Sequence, residues 1–154
     1  MADLKDQIST QLTFPSDSSE NALIQEVADF LYEHLDQYGD KREDIVKCLK
    51  YALSEEPGRG GFVVTARDSQ KKIVGAVVVN ETGMSGYIPE NILVYIAVDG
   101  SKRGYGIGKK LMYATMDNAK GAIALHVEPD NPARHLYTKV GFTNKYLEMR
   151  YQPD

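Results

Sequence analysis

Residues 101–112 read SKRGYGIGKKLM, with glycines at 104, 106 and 108, Arg103 just before them and a helical pattern after. Glycine weakens regular structure, so such a cluster marks close approach of backbone to something. The first turn of a helix carries N–H groups without internal partners, and its dipole adds partial positive charge. Bare backbone at Gly104, Gly106 and Gly108 lets an anion reach those groups, and Arg103 and Lys109 add formal charge. This is the chemistry of a phosphate or pyrophosphate cradle. Two common phosphate motifs fail. A dinucleotide loop needs a third glycine where Lys109 or Leu111 stands. A Walker loop needs a glycine at Arg103 and a hydroxyl residue at Lys110. The pattern that fits is R-x-x-G-x-G, made by Arg103, Gly106 and Gly108.

Other chemistry is sparse. Cys48 is the sole cysteine, so an intrachain disulfide and a cysteine metal site are both excluded. The histidines, His34, His126 and His135, are scattered, and no metal is expected. A net charge of −4 argues against nonspecific nucleic-acid binding. The N-terminus has neither the basic start nor the apolar run of a secretory signal, and no segment is apolar enough to span a membrane. A soluble, cytoplasmic protein of one domain, residues 1–154, is expected.

The elements that would position the glycine segment follow from periodicity. Ile8, Leu12 and Phe14 suggest a strand over 7–14, and Asp17 with Glu20 resembles a capping box. Leu23, Val27, Phe30, Leu31 and Leu35 recur at helical spacing up to Tyr38, where Gly39 stops the helix. His34 borders that stripe as a packing residue. A second helix starts at Asp40 and buries Ile45, Leu49, Ala52 and Leu53. Then the period becomes two. FVVTAR (62–67) and KIVGAVVVN (72–80) read as a hairpin, and NILVYIAV (91–98) as a central strand. A helix to about Lys120 follows the glycines, then a strand at 122–127. Asn131 and Pro132 open a last helix that ends at Gly141, and NKYLEMRYQ (144–152) reads as a final strand. The order β-α-α-β-β-β-α-β-α-β implies a mixed α/β (α+β) domain, a mixed sheet with helices on both faces.

The Arg103–Gly106–Gly108 pattern after the strand residues IAV resembles the coenzyme A pyrophosphate loop of the GCN5-related N-acetyltransferases. NPARHLYTKVGF (131–142) is similar to that family's late segment, with its asparagine, alanine and LY-x-K-x-GF run. The spacing between the two segments and the element order match as well, over nearly the whole chain. The resemblance implies the acyl-CoA N-acyltransferase fold, with acetyl-CoA as acetyl donor and no metal. The pantetheine arm would pair with Ile96, Ala97 and Val98 like an added strand. Val98 or a neighbour would polarise the thioester carbonyl through its N–H. Residues Arg103, Gly104, Tyr105, Gly106, Ile107, Gly108 and Lys109 would hold the pyrophosphate, and Asn131 and Ala133 would line the pantetheine.

The reaction implied is direct attack of a primary amine on the thioester within a ternary complex. Tyr137 stands at the family's tyrosine position and is assigned as general acid. Many family members carry a glutamate on the strand before the loop, where this chain has Ile92. Glu90 is the candidate base; Tyr87, Tyr95, His126, Glu128 and water are alternatives. The acceptor would be a small-molecule or peptide amine, without nucleic acid or membrane. Members of the family often dimerise, which leaves a homodimer open. A module that binds or senses acyl-CoA without turnover is the competing reading.

Overall fold

The computed structural model describes residues 7–17 and 21–153. Its elements are β1 (Ser9–Thr13), α1 (Asn21–His34), α2 (Arg42–Ala52), β2 (Gly61–Arg67), β3 (Ile73–Glu81), β4 (Asn91–Val98), α3 (Ile107–Asn118), β5 (Ile123–Leu125) and α4 (Ala133–Lys139). The strands form one five-stranded sheet in the order β1-β2-β3-β4-β5. Strands β1 to β4 pair antiparallel in sequence, while β5 runs parallel to β4. A parallel neighbour requires a crossover, and α3 supplies it.

Each face of the sheet carries its own core. Val27, Leu31, Ile45 and Leu49 of α1 and α2 pack with Val63, Ala76, Val78 and Tyr95. Ile107, Leu111 and Met112 of α3 and Tyr137 of α4 pack with Phe62, Val64, Val77, Val79 and Leu93. Covered faces on both sides explain why β2 and β3 read as unbroken apolar runs rather than alternating ones. No described helix is long and apolar enough to cross a membrane.

Helix α1 ends at His34 instead of Tyr38, because Asp36 takes a φ of 53°. An L-residue in that region cannot continue a right-handed helix, and residues 36–38 form a 3-10 turn. The ring of His34 packs 4.5 Å from that of Phe30. Of the expected capping box, Glu20 lies outside the described residues. Helix α2 starts at Arg42, two residues later than expected.

Two further expectations need correction. The strand expected at 122–127 pairs only over Ile123–Leu125. The final strand expected at 144–152 does not form. A strand exists only by pairing, and residues 143–153 pair with no strand among the described residues.

Helix α1 is tied to β2 by a two-pronged ion pair. Arg67 donates from both terminal nitrogens to Glu26, at 2.8 and 2.9 Å. The Arg67 guanidinium holds the Glu26 carboxyl below its ordinary value of 4.5. A depressed carboxyl stabilises the fold above its unfolded pKa, and that contribution is lost as pH falls through the folded one. Glu26→Gln should therefore cost about 1 kcal/mol or less at pH 7, given the partial exposure. The wild-type advantage should vanish well below pH 4.5; urea titrations of both proteins at neutral and acid pH check this.

Candidate functional site

The site begins with a defect in β4. Val78 pairs with Tyr95, but Val79 pairs with Leu93, so Val94 is an extra residue. Such a bulge bends the strand and switches which face each side chain meets. Leu93 accordingly packs on the α3 face and Tyr95 on the α1/α2 face. Strand β5 follows β4 only over Asn91–Leu93, up to the bulge. Beyond it the pairing ends, and the outer edge of residues 94–98 has no strand beside it among the described residues.

Which groups line that edge follows from the ladder. The N–H of Asp99 donates to the Val74 carbonyl, back toward β3. Backbone groups alternate sides along an antiparallel strand. Ile96 and Val98 therefore turn their N–H and C=O outward, while those of Ala97 turn toward β3, opposite Ala76. An extended chain laid in the cleft would meet Ile96 and Val98. Ala97 contributes its side chain to the α1/α2 core.

Asp99 then shapes the turn. Its carboxylate accepts from Ser101 N at 2.9 Å and Ser101 Oγ at 2.8 Å. Burial alone would raise this carboxyl, but the Ser101 bonds outweigh it and hold the group ionised. Past the turn, Gly104 and Gly106 have φ of 89° and 74°, a region that side chains disfavour. Gly106 caps α3, and the Lys110 N–H closes the first turn on its carbonyl. The N–H groups of residues 104–109 have no backbone partner among the described residues. Arg103 and Lys109 are exposed, and no described carboxylate pairs with either. Residues 103–109 thus present bare donors at a helix N-terminus with two cations beside them, an arrangement that suits an anion.

Helix α3 can sit so low because of Gly75. A Cβ there would lie 2.8 Å from Leu111 Cδ1 and 2.9 Å from Ile107 Cγ2. Gly108 does the same for α4: a Cβ would meet Leu136 Cδ2 at 3.0 Å and Val98 Cγ2 at 3.8 Å. The end of β4, the start of α3 and α4 therefore converge on Gly108. Asn131 Oδ1 accepts from Ala133 N at 2.9 Å and starts α4. The next turn buries the Tyr137 ring, 6.2 Å from that of Phe142. Burial pushes the Tyr137 hydroxyl up to about 12, and that hydroxyl has no hydrogen-bond partner among the described residues.

Residues 58–144 match the family described as acetyltransferase (GNAT) domain. The chain belongs to the GNAT acetyltransferases. A ribosomal-protein-alanine N-acetyltransferase from Brucella melitensis shares the fold at TM-score 0.64 and 19% identity, over 94% of this chain and 99% of that one. An aminoglycoside acetyltransferase from an uncultured soil metagenomic sample does so at TM-score 0.64 and 17% identity, over 99% of this chain and 100% of that one. A curated mycothiol acetyltransferase of Catenulispora acidiphila is 33% identical over 69 residues, 42% of this chain. That match spans 22% of the relative's own length.

Within this GNAT domain, Glu90 sits away from the glycine loop, at the start of β4. Its carboxylate accepts from Ala122 N at 2.8 Å and from Gly86 N at 3.3 Å. Those backbone donors, Ala122 first, hold it below the ordinary carboxylate range. The side chain lies over Gly121, where a Cβ would come within 2.5 Å of it. Glu90 thus fastens the 82–90 loop to the start of β5. Of the alternatives, Tyr95 is committed elsewhere. Its hydroxyl donates to Asp40 at 2.5 Å on the α1/α2 side, and burial and that carboxylate raise its pKa.

Three contributors were not singled out in the sequence. Asp99 could have been, since D-G-S after a strand is turn chemistry. Tyr38 donates to the Asp130 carbonyl at 3.4 Å, joining the α1–α2 connection to the loop before α4. The Val94 bulge leaves no signal in a run of eight mostly apolar residues.

Proposed function

We propose that this acetyltransferase moves an acetyl group from acetyl-CoA to a primary amine on a small molecule or peptide. The observation that carries the reading is the convergence at Gly108. It brings the open edge of β4, the bare N–H groups at the start of α3 and the tyrosine helix α4 to one place. In this reading residues 103–109 hold the pyrophosphate, with Arg103, Gly104, Tyr105, Gly106, Ile107, Gly108 and Lys109 as its cradle. The outward groups of Ile96 and Val98 pair with the pantetheine arm. Ala97 supports the strand from behind, and Asn131 and Ala133 border the arm from α4. One outward N–H on β4 supports the oxyanion.

The amine nitrogen attacks the thioester carbonyl carbon, forming the C–N bond as the C–S bond breaks. Tyr137 gives its proton to the departing thiolate and recovers one from solvent. The amine's own proton leaves through water in the open cleft. Glu90, just before β4, is engaged by two backbone donors, and Ile92 offers no base. Glu90→Gln should accordingly keep turnover within a factor of about three while loosening the 82–90 loop, since a true general base contributes about 10²-fold or more. A hundredfold fall in kcat at unchanged KM would restore Glu90 as base.

The deciding experiment is calorimetric titration of the folded protein with acetyl-CoA, against ATP and NAD, followed by thiol release with a panel of amines. Selective one-site binding with amine-dependent thiol release is expected. Failure to bind acetyl-CoA would remove the reading. The competing reading, an acyl-CoA sensor without turnover, draws on the missing carboxylate at Ile92. It predicts binding without thiol release from any amine.

A further inference from the structure

A straight β4 competes with the bulged one. In the bulged strand Tyr95 lies opposite Val78 and Ile96 opposite Val77. If the register at Leu93 ran on without an extra residue, Tyr95 would lie opposite Val77 and Ile96 opposite Ala76. A one-residue shift turns every side chain to the other face. It would also turn the backbone groups of Ile96 and Val98 toward β3 and send those of Tyr95 and Ala97 outward. Burial separates the two registers weakly, because Val94, Ile96, Ala97 and Val98 are apolar whichever face they meet. Between Ile92 and Val98 a single side chain can form a hydrogen bond, that of Tyr95.

Tyr95 is 7% exposed, and a buried hydroxyl needs a partner. In the bulged strand its ring packs in the core that holds Ile45, Leu49 and Val78, and its hydroxyl donates to Asp40 Oδ2 at 2.5 Å. A hydroxyl that close to a carboxylate makes a strong, charge-assisted bond. In the straight strand the ring would enter the opposite core, where Val77, Ile107, Leu111 and Met112 are apolar. Asp40 is fixed by its place in the chain. It stands one residue before the Lys41 cap of α2, and the fully buried Ile45 and Leu49 pin that helix to the sheet.

We propose that Asp40 is a positioning residue: through Tyr95 it holds the extra residue at Val94, and so keeps the Ile96 and Val98 N–H groups aimed into the cleft. It acts from the α1–α2 side of the sheet, opposite the face that carries Tyr137. The placement of the bulge is a property of the fold alone. Its effect on turnover rests on the acyl transfer proposed above, in which an outward N–H of β4 supports the oxyanion.

Nuclear magnetic resonance on the full chain reads the register without any substrate. Ala97 and Ala76 form a hydrogen-bonded pair, so the closer pair next to it is Val77 with Ile96 in the bulged strand and Val77 with residue 95 in the straight one. The wild type should show the Val77–Ile96 Hα contact. Tyr95→Phe keeps the ring, and Asp40 is exposed, so the fold should survive at both sites; circular dichroism checks this. Tyr95→Phe and Asp40→Leu should each shift the Val77 contact to residue 95, or add a second set of amide signals over 93–98, and lower kcat at least tenfold. Asp40→Asn keeps an acceptor and should restore the wild-type contact and at least half of kcat. The Tyr95→Phe, Asp40→Leu double variant should fall no further than either single one, because both remove one bond. An unchanged register in the two single variants would overturn the proposal, whatever happens to turnover. So would an Asp40→Asn protein that behaves like Asp40→Leu, and wild-type kcat in a variant whose register has shifted would overturn the aiming role. A wild type that releases no thiol with any amine removes acyl transfer instead, and the Val77 contacts still decide what sets the bulge.

Discussion

Tyr137→Phe lowers turnover by about 10²–10⁴-fold, the usual range for a positioned acid, and leaves acetyl-CoA affinity unchanged. The ring is buried among the α3-side core residues, and phenylalanine keeps that packing. The hydroxyl has no partner among the described residues, so its removal strands no buried donor or acceptor. The loss therefore falls on the proton alone. Burial pushes this group up to about 12, so it stays protonated through the neutral and mildly alkaline range. The wild-type rate should show no alkaline fall from this residue below that value. Initial rates of thiol release across pH, with calorimetry for affinity, test both statements. Equal turnover in the phenylalanine variant would end the assignment.

Gly106→Val should raise the acetyl-CoA dissociation constant by more than tenfold with the fold intact. Gly106 caps α3 with a φ of 74°, a conformation that costs an L-residue about 1–2 kcal/mol. A β-branched side chain costs more, and each ~1.4 kcal/mol is a factor of ten in affinity. The loop can relieve the strain only by turning its backbone, which redirects the N–H groups of the cradle. Gly104→Ala is the informative contrast. Its φ of 89° is also strained, but a Cβ there meets nothing within 4 Å. A milder loss is expected. Calorimetry on both variants, with thermal unfolding as a control, separates a damaged cradle from a damaged fold. Wild-type affinity in Gly106→Val would show that these N–H groups do not carry the ligand.

Much of the fold was legible because its signals are local. The glycine cluster, the helical stripes of α1 and α2 and the β-branched runs of β2 and β3 each depend on residues close in sequence. Their apolar periods survive into the buried faces. Boundaries were less legible. Asp36 turned out of the helix three residues before the expected stop at Gly39, and nothing in its own type compels that. Strand extent was least legible, as β5 and the 144–152 segment show, because a strand's length is set by its neighbour. The candidate site divides in the same way. The glycines and cations were visible in residue types, and the bulge at which the β4–β5 pairing ends was not.

By itself the sequence determined where backbone would be bare and charged, at Arg103 to Lys109, and which helix would bring a tyrosine. It also determined that both sheet faces would be covered. These are matters of composition and period, which short stretches carry alone. Only the tertiary structure decided which β4 groups face the cleft, since that depends on one extra residue against β3. It decided how Glu90 is held, because its donor at Ala122 lies far off in sequence, just before β5, while Gly86 is on its own loop. It decided, too, that three elements meet over Gly108, a contact between segments up to 38 residues apart that no local pattern encodes.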